Sequence, residues 1–131
     1  MYKSTDGGQS WENIGLKNSE RISDIIVNPD NSNEIYVGVL GALWSDSEER
    51  GVYKSTDGGF KWKLVSTKNI GNRPFYYAEI YVDPVNENRI YNLHTYVTVS
   101  NDGGKTFQSL MTAYGANGVH PDHHAFWGHP T

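Results

Sequence analysis

Apolar and polar residues alternate over short runs in this chain, and clusters of turn-forming residues close each run. Ile22-Ser23-Asp24-Ile25-Ile26-Val27 gives way to Asn28-Pro29-Asp30-Asn31, and the apolar run Ile35-Tyr36-Val37-Gly38-Val39 follows. Runs rich in β-branched and aromatic residues, punctuated by Asn, Asp, Gly and Pro, predict strands rather than helices. The expected strands are 22–28, 35–40, 51–55 and 61–66, then 77–83, 89–94, 96–100 and 105–110.

The pattern repeats. Ser4-Thr5-Asp6-Gly7-Gly8-Gln9-Ser10-Trp11 returns as Ser55-Thr56-Asp57-Gly58-Gly59-Phe60-Lys61-Trp62 and again as Ser100-Asn101-Asp102-Gly103-Gly104-Lys105-Thr106-Phe107. Tyr2-Lys3 and Tyr53-Lys54 lead into the first two copies. A second motif, Ile22 to Pro29, aligns with Tyr77 to Pro84, and His123 to Pro130 fits the same frame. Periods of roughly 45–50 residues with four short strands each are those of propeller blades.

The expected fold is therefore all-β, with consecutive four-stranded antiparallel blades of a β-propeller forming a partial ring. Residues 1–16 end one blade, 17–66 and 67–110 are blades, and 111–131 start the next, with Trp127 packed in its first strand. The chain is expected to start and stop in mid-blade, so further blades of a parent ring are expected partners. Unpaired edge strands also invite homo-oligomer formation.

Composition narrows the function classes. The net charge of −4 comes with no stripe of Lys and Arg, so no nucleic-acid partner is expected. The absence of cysteine excludes disulfides, thiolate catalysis and Cys-ligated zinc. No apolar run reaches the roughly 18 residues of a membrane span. No charged and then apolar leader opens the chain.

Each repeated hairpin tip asks several things of its backbone. Paired glycines take positive φ without steric cost. Asp6, Asp57 and Asp102 can accept hydrogen bonds from nearby amides and hold the turn. Trp11, Trp62 and Phe107 can bury and anchor the hairpin. The structural set is Ser4, Asp6, Gly8 and Trp11, with Ser55, Asp57, Gly59 and Trp62, and Ser100, Asp102, Gly104 and Phe107. Metal or phosphate binding by these carboxylates is the alternative. Three near-identical copies favour the structural role, and the glycine pair lacks the spacing of a phosphate loop.

Ser-Thr-Asp-Gly-Gly-x-x-Trp resembles the Asp box (BNR repeat) of sialidases, xyloglucanase-type glycoside hydrolases and sortilin/Vps10 ectodomains. Glu49 to Gly59, Phe75 to Ile80 and Gly118 to Trp127 are similar to large bacterial exported proteins of the BNR-repeat glycosyl hydrolase or sortilin-like kind. The resemblance covers essentially the whole chain. It implies an Asp-box propeller in an extracellular or periplasmic protein, with a glycan, peptide or protein ligand and no required cofactor. Asp boxes mark a fold that serves many functions.

Antiparallel connectivity sorts the loops. The Asp-Gly-Gly and Asn/Pro turns fall on one face, and the remaining loops fall on the face where propellers bind ligands. Trp44, Tyr76 and Trp127 are candidates to stack on sugar rings, with core packing the better reading for Trp127. Arg50 and Arg73 are candidates to hold acidic groups, and His94 to contact the ligand. Such aromatics also pack between blades. His120, Asp122, His123 and His124 form a cluster able to take a divalent metal, and Asp122 could move a proton. The plainer reading has Asp122 capping a turn and one His packing at a strand entrance. Asp24 and Glu79 hold matching first-strand positions and, with Asp122, are the catalytic candidates of a glycosidase-like acid/base pair. No arginine triad or tyrosine nucleophile of the sialidase kind can be assigned. Two function classes stay open: a non-catalytic scaffold presenting a loop face, and part of an Asp-box glycoside hydrolase. A metal site at the histidine cluster is a third.

Overall fold

The computed structural model describes residues 1–70, 79–110, 120, 123 and 125–129. Among them the only regular elements are strands: β1 (Tyr2–Lys3), β2 (Glu12–Asn13), β3 (Ile22–Val27), β4 (Ile35–Val39), β5 (Gly51–Ser55), β6 (Lys63–Ser66), β7 (Glu79–Val82), β8 (Ile90–Leu93), β9 (Val97–Ser100) and β10 (Gln108–Ser109). No helix of the described residues is long and apolar enough to cross a membrane.

Chain order is sheet order. β3-β4-β5-β6 form one antiparallel sheet, β7-β8-β9-β10 a second, and β1-β2 a two-stranded piece. The expected strands lie where the pattern put them, trimmed at their ends. The exception is the last: residues 125–129 are not in a strand, and Trp127, expected in a core, is 76% exposed. Phe126 is the residue that packs, stacked on Tyr91 at 4.4 Å between ring centroids and tilted on Tyr81 at 5.7 Å.

Why β4 is apolar at every position follows from its surroundings. Ile35, Val37 and Val39 join Tyr53 in one core cluster, with Met1, Leu16, Ile22 and Trp62 packed against it. Tyr36 points the other way, into a cluster with Val52, Ile80, Ile90 and Phe107. Successive side chains leave a strand on opposite faces. A sheet covered on both faces therefore needs apolar residues at every position, and all five β4 residues are buried. Gly38 lies where sheets meet: a Cβ there would come 2.5 Å from Ser23 Oγ and 3.6 Å from Ile80.

The three Asp-Gly-Gly turns share one wiring. Ser Oγ donates to Asp Oδ1 at 2.8, 2.9 and 2.8 Å in the Ser4–Asp6, Ser55–Asp57 and Ser100–Asp102 pairs. The same oxygens accept from the amides of Gly8, Gly59 and Gly104. Asp Oδ1 accepts from the amides of Ser10, Lys61 and Thr106, each at 2.9 Å. Both glycines of every pair have positive φ, from 70° at Gly103 to 99° at Gly59. In the two complete sheets the middle of this turn also bonds the Asn-rich turn between the first two strands. Gly58 N donates to Asn33 O at 3.0 Å, and Gly103 N to Asn88 O at 2.9 Å. Both turn types thus lie at the same end of each sheet.

Candidate functional site

The opposite end carries the chemistry. Asp24 and Glu79 lie toward the starts of β3 and β7, strands that pack against one another across the two sheets. A register shift between Ile22 and Asp24 leaves Ser23 as an extra residue, and its hydroxyl donates to Gly38 O at 3.1 Å. Such bulges re-aim side chains. Asp24 Oδ1 accepts the amide of Ile25 at 2.8 Å.

Glu79 and Tyr81 are two residues apart and share one face of β7. Tyr81 Oη donates to Glu79 Oε2 at 2.5 Å. That bond, with burial and the charges of Glu79 and Asp24, raises the Tyr81 pKa. The phenol is therefore a fixed donor that orients Glu79, and both inner-strand carboxylates act on it.

The next strand adds buried polar atoms with no hydrogen-bond partner among the described residues. Asn92 Nδ2 donates to Glu79 O at 3.3 Å, leaving Asn92 Oδ1 buried and unbonded. His94 Nδ1 accepts the amide of Tyr96 at 3.3 Å, and the rings meet edge to face at 6.0 Å. A neutral imidazole that accepts at Nδ1 carries its proton at Nε2. That Nε2 is buried with no hydrogen-bond partner. Burial first, and the charge of His123 second, hold the His94 pKa below its ordinary value. His94 is thus a neutral donor waiting for an acceptor.

The β4–β5 loop lies at this same end. Trp44 is 82% exposed. Arg50, expected to reach a ligand, instead ties its own loop: Nε donates to Leu40 O at 2.8 Å, and Nη2 to Ala42 O at 3.1 Å and Ser45 O at 3.3 Å. Glu49 Oε2 is buried with no hydrogen bond among the described residues, and burial first, then the Glu49 charge, raises the Tyr53 pKa.

Of the histidine cluster, His120 is exposed and His123 half-buried beside His94. Asp122 and His124, like Arg73 and Tyr76, lie outside the described residues. Among the described residues no three His, Cys, Asp or Glu side chains gather as a metal site. The structural set from the Asp-Gly-Gly turns lies away from all of this, each carboxylate accepting local donors at Oδ1. The Glu79–Tyr81 pair and the His94–His123 neighbourhood were not anticipated. The two-residue spacing of Glu79 and Tyr81 was the available signal for the first; the second joins distant segments and had none.

No protein-family model matches the sequence, and no curated protein matches it. Among solved structures the chain is similar to the crystal structure of an ancestral GH74 enzyme, at 29% identity and a TM-score of 0.58. The likeness covers 82% of this chain and 15% of that one, so the chain spans a small part of that enzyme's length. GH74 is a family of β-propeller glycoside hydrolases. With the two antiparallel four-stranded sheets, this establishes the chain as consecutive β-propeller blades.

Proposed function

We propose that these blades belong to an Asp-box propeller of an exported protein and offer their channel-side end to a glycan as a non-catalytic recognition module. The observation that carries this reading is the pair of buried polar atoms without hydrogen-bond partners among the described residues, Asn92 Oδ1 and His94 Nε2, beside the Glu79–Tyr81 pair. Buried polar groups are almost always hydrogen-bonded, so unpaired ones at a loop face call for an external partner. One is an acceptor and the other a donor, which suits a sugar hydroxyl that both gives and takes a hydrogen bond. The exposed Trp44 supplies an aromatic surface at the same end. The proposed ligand contacts are then Asn92, His94 and Trp44, together with Tyr76 and Arg73, which lie outside the described residues. No cofactor is required. The further blades of a ring are the natural partners, and paired edge strands are the route to homo-oligomers.

A second reading is favoured by the Glu79–Tyr81 bond and the likeness to a GH74 enzyme: Asp24 and Glu79 as acid and base of a glycoside hydrolase. A panel of polysaccharides and aryl glycosides separates the two. The recognition module binds at least one saccharide without turnover, and His94→Ala or Asn92→Ala weakens it. Turnover abolished by Asp24→Asn or Glu79→Gln would establish the hydrolase. His123 with His120, Asp122 and His124 is the remaining metal proposal. Zinc or nickel titration that His120→Ala and His123→Ala leave unchanged would remove it.

A further inference from the structure

At the other end of the sheets, between the two four-stranded sheets, a groove of about 480 Å³ opens beside the Asp-Gly-Gly turns. Four of its lining residues are lysines: Lys54, Lys61, Lys63 and Lys105. This is unexpected in a chain of net charge −4. The ion pairs among the described residues are Lys54–Glu34 at 3.6 Å and Arg89–Asp83 at 3.5 Å, which leave Lys61, Lys63 and Lys105 without a salt bridge. Lys61 does feel the nearby Asp57 carboxylate. Asp102, the one acid in the lining, already accepts both the hydroxyl and the amide of Thr106 and the hydroxyl of Ser100.

Two further features say what fits. Tyr36 lines the groove, its Oη is buried with no hydrogen-bond partner among the described residues, and the Lys54 ammonium sits 5.0 Å from its ring centroid. Trp62 stands in the wall, its ring pinned by donation from Nε1 to Ile14 O. Burial works against the Lys54 charge, yet Tyr36, Glu34 and Glu87 outweigh it and raise its pKa, so the ammonium persists.

We propose that this groove is a binding site for an acidic oligosaccharide, one bearing carboxylate or sulfate groups, distinct from the channel-side site. The lysines meet the anionic groups, and the Tyr36 hydroxyl and the Trp62 indole meet the sugar. A volume of this size exceeds a single inorganic anion. The site stands independently of the glycan reading at the opposite end.

Calorimetry on the whole chain tests it with a uronate or sulfated oligosaccharide, a neutral oligosaccharide of equal length, and inorganic phosphate. The expected result is saturable binding of the acidic sugar that weakens with ionic strength, with the other two weaker on the order of tenfold. Lys61→Gln/Lys63→Gln/Lys105→Gln loses binding by a similar factor, whereas the corresponding triple Lys→Arg variant keeps it. Gln9→Ala, on an exposed turn outside the groove, changes nothing, and neutral-saccharide binding that Asn92→Ala weakens reports the channel-side reading separately. Absence of acidic-sugar binding, neutral-sugar or phosphate binding that the triple Gln variant weakens equally, or a triple Gln variant that binds the acidic sugar as wild type does would overturn the proposal.

Discussion

Trp62 Nε1 donates a 2.6 Å hydrogen bond to Ile14 O across two neighbouring sheets, whereas its repeat counterpart Trp11 donates to Gly8 O in its own turn at 3.1 Å. Ile14 is buried, so its carbonyl depends on that indole. Trp62→Phe is expected to destabilise by about 1–3 kcal/mol, the cost of a buried unpaired acceptor. Trp11, 63% exposed, should tolerate Phe within about 0.5 kcal/mol. Urea unfolding of the two variants checks the asymmetry.

The hydroxyl that follows two of the turns sets their acid resistance. Thr106 Oγ1 donates to Asp102 Oδ2 at 2.6 Å and is the largest cause of an Asp102 pKa lowered to about 2. A depressed carboxylate pKa stabilises the fold above the unfolded value of 3.8, and that stabilisation is lost as pH falls through about 2. Thr106→Val should raise the Asp102 pKa and move the acid-induced loss to higher pH. Thermal melts across that window measure the shift.

Much of this was legible because it is local. A Ser-x-Asp-Gly-Gly turn carries its own partners within five residues, and a strand's burial shows in its alternation. β4 reads as apolar throughout because sheets cover it on both sides. What was not legible depends on neighbours distant in sequence. Trp11 and Trp62 are equivalent in the repeat, yet among the described residues only Trp62 bonds a carbonyl on an adjacent sheet. Arg50 is charged and loop-borne like a ligand contact, but the nearest acceptors are carbonyls of its own loop. Trp127 fits the strand frame, yet Phe126 beside it takes the packing position.

Gly38 is held small by what it faces. A Cβ 2.5 Å from Ser23 Oγ requires the hydroxyl to move from its bond to Gly38 O. Gly38→Ala is expected to cost about 1–3 kcal/mol, as overpacking does. In the Ser23→Ala background the penalty should shrink, a coupling that a double-mutant cycle reads directly.

Neutral His94 gives a pH signature of opposite residue type but the same sign as the carboxylates. Its folded pKa lies below the ordinary 6.5, so stability is fully present above 6.5 and declines as pH falls toward the folded value. His123→Ala removes a neighbouring charge and should let the His94 pKa rise. Imidazole NMR titrations of both proteins follow it.

The most direct measurement is an NMR titration of the chain with neutral oligosaccharides, following the His94 and His123 imidazoles, the Asn92 amide and the Trp44 indole. Saturable shifts at these resonances, absent in Asn92→Ala and with the Asp-Gly-Gly turn amides still, are the expected outcome. Silence at all four with every saccharide, or shifts confined to the turns at the far end of the sheets, would contradict glycan recognition at the channel-side loops.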